Sequence, residues 1–227
     1  MSKYIVASTH SWHLNVSSPS VYDSLEFIQV ANQNEFNALN LEELSPEFIF
    51  FVHWNWVVPE AIFSKYKCVV FHIAPLPYGR GGSPIQNLIL NGYEEAPVNA
   101  LKMTKVLDGG AIYGSKTISF EGTISEIFGR AANVVEELIQ KIIVENPRPI
   151  EQKGVPVYFR RLSEKDNALT ESDSLEKIYD KIRMVDGFNY PRAFIEFGKN
   201  KMEFTDAKIV DGIVIANVSF KEKKIND

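Results

Sequence analysis

A histidine and an aspartate, His72 and Asp108, lie 36 residues apart in settings that suit chemistry better than packing. His72 closes the apolar run Cys68-Val69-Val70-Phe71-His72 and precedes Ile73-Ala74-Pro75-Leu76-Pro77-Tyr78-Gly79-Arg80-Gly81-Gly82-Ser83-Pro84-Ile85. Asp108 sits in the glycine-flanked stretch Leu107-Asp108-Gly109-Gly110, which also fits an ordinary turn. At one sheet rim, a carboxylate can orient and charge an imidazole, and the imidazole can move a proton or support a developing oxyanion. No serine occupies a Gly-x-Ser-x-Gly elbow. The single cysteine, Cys68, reads as a small buried hydrophobe and not a nucleophile. Direct transfer between two bound substrates fits better than a covalent acyl-enzyme.

The elements that must hold this pair are legible as apolar runs. Lys3 to Thr9, Leu25 to Val30, Phe48 to Val52 and 68–73 read as strands, and the unbroken apolarity of Phe48-Ile49-Phe50-Phe51-Val52 marks burial on both faces of a parallel sheet. Asn34 to Leu44 reads as a short acidic helix or turn, and Pro59 begins a helix. Ile85, Leu88 and Ile89 recur at helical spacing before Gly92. Val98 to Thr104 and the stretch around Ile112 are further strands, and 122–144 is a long amphipathic helix. His53 and His72 both fall at strand carboxyl ends. The turn holding His10, Trp12 and His13 follows the first strand, so the three clusters are expected to share one crevice. That turn suits a ring-bearing ligand, and an aromatic surface loop fits the same residues. It carries no Gly-x-Gly-x-x-Gly, which leaves a dinucleotide dehydrogenase a distant third reading.

Asn146-Pro147-Arg148-Pro149 marks a boundary, giving a Rossmann-like catalytic domain over residues 1–148 and a C-terminal subdomain over 149–227. In the latter, 173–183 reads as a capped helix, and 193–197, 208–210 and 212–218 read as a small antiparallel unit. The fold class is therefore α/β, a mostly parallel sheet flanked by helices, followed by a small α+β C-terminal subdomain. The chain of 227 residues is 45% hydrophobic and 23% charged, with net charge −5. That balance argues against a nucleic-acid backbone as main partner. One cysteine builds no disulfide, no metal site is expected, and no stretch approaches the roughly 20 apolar residues of a membrane span. A cytoplasmic protein without a signal peptide is expected.

The run His72 to Ile85, then Gln86-Asn87-Leu88-Ile89-Leu90-Asn91-Gly92, then Leu107-Asp108-Gly109-Gly110-Ala111-Ile112 resembles the 10-formyltetrahydrofolate-dependent formyltransferase family. The match covers about residues 48–143. Arg160-Arg161 and Ile182-Arg183 through Tyr190-Pro191-Arg192-Ala193-Phe194 are similar to the region after the catalytic domain in its sugar N-formyltransferases. The resemblance implies His72 and Asp108 as catalytic residues and 10-formyltetrahydrofolate as formyl donor. It implies a pterin loop at Trp54, Trp56, Val57 and Val58, with Arg80, Gly81, Gly82 and Thr104 beside it. His10, Trp12, His13, His53 and Gln86 are the expected acceptor-binding residues. One position departs. The family places asparagine two residues before the histidine, and here Val70 stands there with no donor. Asn55, expected to be catalytic, or His53 would supply the missing donor; otherwise the chemistry is impaired.

Length and charge argue against tRNA as acceptor. The variant spacing around Gly79-Arg80-Gly81-Gly82-Ser83-Pro84 resembles formyltransferases of nucleotide-linked amino sugars in surface-polysaccharide and pseudaminic-acid-type pathways. The expected partner is thus a UDP- or dTDP-linked 4-amino-4,6-dideoxy sugar. The alternatives are another small amine, or a non-catalytic binding protein of the same fold. The exposed-looking C-terminal strands suggest a homodimer.

Overall fold

The structure, a computed structural model, describes residues 2–9, 25–187 and 190–223. A six-stranded sheet carries the fold, in the order β2-β1-β3-β4-β6-β7. Its strands are β1 (Lys3–Ser8), β2 (Glu26–Val30), β3 (Phe48–Val52), β4 (Cys68–Ile73), β6 (Glu95–Lys102) and β7 (Ile112–Ser119). β1 pairs in parallel with β2 and β3, and β3 pairs in parallel with β4. The sheet is therefore mostly parallel, with helices flanking it and a small β unit at the C-terminus. The turn back comes at β6, which runs antiparallel to β4 and sets Asn99 opposite His72. All five residues of β3 are buried, as befits a strand covered on both faces.

On one face Ile5, Ala7, Ile49, Phe51 and Cys68 pack with Val30 and Phe36, and Trp54, Phe63, Tyr66 and Met103 close the cluster. The short helices α1 (Gln33–Asn37), α2 (Leu41–Leu44) and α3 (Glu60–Phe63) lie in this part of the chain. Asn32 and Asn40 cap the first two by accepting from Glu35 and Glu43 backbone N–H groups. The long helix α5 (Ile124–Glu145) buries Ala131, Val134, Val135, Leu138, Ile139 and Ile142 on one stripe. Gly114 of β7 lets it come close: a Cβ there would stand 3.1 Å from Leu138 Cδ2.

The chain divides into two compact units, Met1–Arg80 with Pro97–Thr117 and Ala131–Val157, and Gly81–Ala96 with Ile118–Arg130 and Tyr158–Asp227. The second holds α4 (Pro84–Leu90), α6 (Leu175–Arg183) and an antiparallel sheet of β9 (Ala193–Phe197), β10 (Asn200–Val210) and β11 (Ile213–Glu222). Ser174 caps α6. Asp173, just before it, is buried and receives Lys181 Nζ at 2.6 Å. Two short strands, β5 (Tyr78–Gly81) and β8 (Val157–Phe159), form a ribbon where only loop was expected. Among the described residues, no helix is long and apolar enough to cross a membrane.

Candidate active site

The strand order reverses direction at β1, whose neighbours are β2 and β3, so the crevice of an open α/β sheet lies beyond the carboxyl ends of β1 and β3. Thr9 leaves β1 there and donates its hydroxyl to the carbonyl of His53, 2.5 Å away at the end of β3. His53 adopts a left-handed backbone (φ 48°), which turns the chain sharply off the strand. Asn55 Nδ2 then points at Thr9 Oγ1 at 3.5 Å, and the residue is exposed. Next along this rim, β4 delivers His72.

His72 is 7% exposed, and both of its ring nitrogens face acceptors. Nε2 lies 2.7 Å from the Gly79 carbonyl, which can only accept, so Nε2 carries a hydrogen. Nδ1 lies 3.5 Å from Asp108 Oδ2. A second proton, on Nδ1, would make that contact a charge-assisted one. The geometry suits a group that holds a proton beside a carboxylate and returns it.

The position of Asp108 follows from its turn. Asp108 has φ 50°, in the left-handed region that aspartate tolerates better than most residues. Thr104 braces the approach, its hydroxyl donating to the Val106 carbonyl at 3.2 Å. Gly110 has to be glycine, because a Cβ would fall 1.7 Å from the Lys102 carbonyl oxygen. A Cβ on Gly109 would fall 2.5 Å from Val106 Cγ1 and 3.2 Å from Arg80 Nη1. Arg80, 7% exposed, gives Nε and Nη2 to Gln152 Oε1 at 3.1 and 2.7 Å. Gln152 in turn donates Nε2 to the carbonyls of Asp108 and Gly110 at 2.7 and 2.9 Å.

The remaining expected residues divide. Trp54 packs into the core against Phe36 and Phe51, and its ring meets Trp56 edge-on at 4.8 Å between centroids. Val57 is almost fully exposed and Val58 is buried. Among the described residues, the backbone groups of residues 54–58 have no hydrogen-bond partner. An extended loop with free N–H and C=O groups beside an indole fits the polar edge and flat face of a pterin. Gly81 and Gly82 are required for packing: Cβ atoms there would meet the Phe159 carbonyl oxygen at 2.5 Å and Arg161 Cα at 2.6 Å. Gln86 is 5% exposed on α4 and hydrogen-bonded to Tyr190, whose hydroxyl is pushed to a higher pKa by burial. His10, Trp12 and His13 lie outside the described residues.

The sequence reading passed over two polar residues. Gln152 has no local signal, since its partners come from two distant segments. Asn99, 2% exposed, anchors the end of β4 by donating to the carbonyls of His72 and Ala74 at 3.2 and 2.7 Å. An isolated asparagine inside Val98-Asn99-Ala100-Leu101 was the available clue. Burial pushes the Cys68 thiol up to about 12, consistent with its place in the core.

A mostly parallel sheet presenting a nearly buried histidine–aspartate pair at its carboxyl rim defines an α/β protein whose pair could move a proton during group transfer. The methionyl-tRNA formyltransferase from Clostridium thermocellum is 36% identical and superposes with TM-score 0.93, over 98% of this chain and 100% of that one. The chain belongs to the formyltransferase family. Residues 164–221 match the family described as the methionyl-tRNA formyltransferase C-terminal domain. A methionyl-tRNA formyltransferase of Campylobacter hominis is 32% identical over 173 residues, 73% of this chain and 57% of its own length. The chain spans between 53% and 62% of the length of the curated relatives compared. An N-formyltransferase from Helicobacter canadensis, solved with folinic acid and dTDP-3-aminofucose, shares the fold at 18% identity and TM-score 0.63, over 96% of this chain and 100% of that one.

Proposed function

We propose that the protein transfers a formyl group from 10-formyltetrahydrofolate to a primary amine, with a nucleotide-linked amino sugar as acceptor. The observation that carries the reading is the His72–Asp108 pair, nearly buried and 3.5 Å apart, on the rim where the unbonded 54–58 loop lies. The donor supplies a formyl carbon already activated towards amines. The backbone of residues 54–58 would hold its pterin edge, with Trp56 against the ring. With Nε2 tied to Gly79, the Nδ1 edge of His72 is the one left to take or return a proton, and Asp108 steadies the charged ring.

Overall charge favours the sugar: 29 acidic residues outnumber 24 basic ones. A specific observation favours a second reading, methionyl-tRNA, since the relatives named above carry that name and residues 164–221 match their C-terminal domain. Both acceptors should be offered with the formyl donor, scoring formylated product by mass. We expect product with a UDP- or dTDP-linked 4-amino-4,6-dideoxy sugar and none after His72→Asn. Product only from methionyl-tRNA, with a KM rising steeply with salt as phosphate contacts are lost, selects the second reading. No product from either defeats both.

One further proposal accompanies this one. The exposed side chains Phe197, Ile213 and Phe220 suit a second copy of this chain, and a monomer in sedimentation would remove that proposal.

A further inference from the structure

Gln152 follows α5 in a segment pinned to β7. Ile150 and Ile112 exchange two backbone hydrogen bonds, of 2.8 and 2.9 Å, which fix the chain two residues before the glutamine. From there the side-chain amide uses its whole capacity. Its oxygen accepts twice from Arg80, and its nitrogen donates to the Asp108 and Gly110 carbonyls. The amide orientation is forced, because a guanidinium only donates and carbonyls only accept. No other side chain of similar length offers two acceptor sites at one end and two donors at the other.

The bonded residues are the ones that set the site. Asp108 is held at φ 50°, a conformation costing about 1–2 kcal/mol for most residues and sustained only by its surroundings. Gly109 and Gly110 have no side chains to brace the turn. Arg80 lies beneath it, with Nη1 3.2 Å from where a Gly109 Cβ would be. We propose that Gln152 is a positioning residue for formyl transfer: it locks the Asp108–Gly110 turn onto Arg80 and thereby sets the Asp108 carboxylate against His72 Nδ1. The inference rests on reading His72 and Asp108 as the reacting pair.

The test uses Gln152→Glu, which has the same shape. The new carboxylate keeps Arg80 but turns an oxygen towards two carbonyls that need a donor, so the turn should release while the fold stands. Expected are a melting temperature within a few degrees of wild type, a folate KM within about threefold, and a kcat lower by about 10–100-fold, the scale of a misplaced catalytic group. In an Asp108→Asn background, read as single-turnover product, the same substitution should cost less than about twofold, because the group it positions is gone. Amide exchange over residues 106–112 should accelerate.

Wild-type kcat in Gln152→Glu, or a loss that multiplies undiminished in the Asp108→Asn background, overturns the inference. If Gln152→Glu does not fold, Gln152→Asn serves, since it keeps both polar ends and loses the reach to span them. The exchange measurement needs no substrate. Should wild-type protein formylate neither acceptor, the proposed function fails, and exchange over 106–112 still decides whether Gln152 clamps the turn: acceleration supports it, an unchanged rate overturns it.

Discussion

Replacing Asn99 with alanine should destabilise the protein by about 1.5–2.5 kcal/mol and reduce turnover beyond what the lost folded fraction explains. Ala74 is fully buried, and its carbonyl would lose the 2.7 Å donor Asn99 Nδ2 while keeping the Leu76 N–H at 2.9 Å. Losing a buried hydrogen bond without orphaning its acceptor costs about 0.5–1.5 kcal/mol, and the vacated space adds about 1 kcal/mol. The 3.2 Å contact to Pro97 matters less, because that carbonyl still accepts from Ala74 N–H at 3.1 Å. Asn99 Oδ1 also accepts from Ser115 Oγ at 2.6 Å, but Ser115 is exposed and water can replace that partner. Ser115→Ala is therefore the control, expected to change stability by less than about 0.5 kcal/mol. Urea unfolding followed by tryptophan fluorescence reads the relevant part of the chain, since all three tryptophans precede residue 57. Kinetics on the folded variant should show reduced kcat, because the His72 carbonyl loses its 3.2 Å anchor. A loss below about 1 kcal/mol at unchanged m, or an equal loss in Ser115→Ala, would refute the reasoning.

Gly110→Ala should abolish activity whatever its effect on folding, since the Cβ would fall 1.7 Å from a main-chain oxygen and the Asp108 turn must move; near-wild-type kcat would contradict this. Lys181→Met should cost about 1.5–3 kcal/mol in thermal or urea unfolding, because the buried Asp173 carboxylate loses its 2.6 Å partner while Lys177 Nζ remains 3.1 Å from its other oxygen. Burial tends to raise the pKa of Asp173, but hydrogen bonds from Lys181, Thr170 and Lys177 outweigh it and hold the carboxyl below the usual range. That stability is therefore present above about pH 4 and lost as pH falls towards the lowered folded value, so acid midpoints of wild type and Lys181→Met should converge. Cys68, 2% exposed and with its thiol at about 12, should resist a thiol-specific reagent at pH 8 until urea unfolds the protein. Rapid labelling of the native protein would show the core around Cys68 to be open.

The elements that were legible are those with one dominant periodicity. β3 and β4 are continuous apolar runs of strand length, and α5 keeps its stripe from Ile127 to Ile142, so length and pattern agree. β5 and β8 were not legible because their residues are glycine-rich or exposed, and only their mutual pairing makes them strands. Gly81 and Gly82 show the consequence: read alone they suggested a ligand loop, whereas the passing main chain of Phe159–Arg161 accounts for them. The first half of β10, Asn200-Lys201-Met202-Glu203-Phe204, alternates polar and apolar residues, but its charges hid a strand whose partners lie on both sides. At the site, His72 and Asp108 stood out because ionisable residues interrupt apolar or glycine-rich stretches. Gln152 did not, because its role exists only once residues 80, 108 and 110 have been brought to it.

We propose that Val70 stands where the family resemblance implies an asparagine, and the sheet narrows what can compensate. Val70 pairs with Phe51 on β3 and with Leu101 on β6, so neither strand neighbour offers a side-chain donor. Asn99, two residues from Leu101 on β6, has its amide committed to the carbonyls of His72, Ala74 and Pro97. A replacement must come from beyond the strand ends. Asn55 lies there, exposed, with its Nδ2 held only by a 3.5 Å contact to Thr9 at the limit of a hydrogen bond. Such a contact is easily surrendered to a better acceptor, which keeps Asn55 our proposed donor. Losing one such donor typically costs ~10²–10³ in kcat. Asn55→Ala should fall in that range at unchanged stability, since it removes an exposed side chain from no core. A variant with full turnover would move the search to the backbone N–H groups of residues 54–58, unbonded among the described residues, and the indole N–H groups of Trp54 and Trp56.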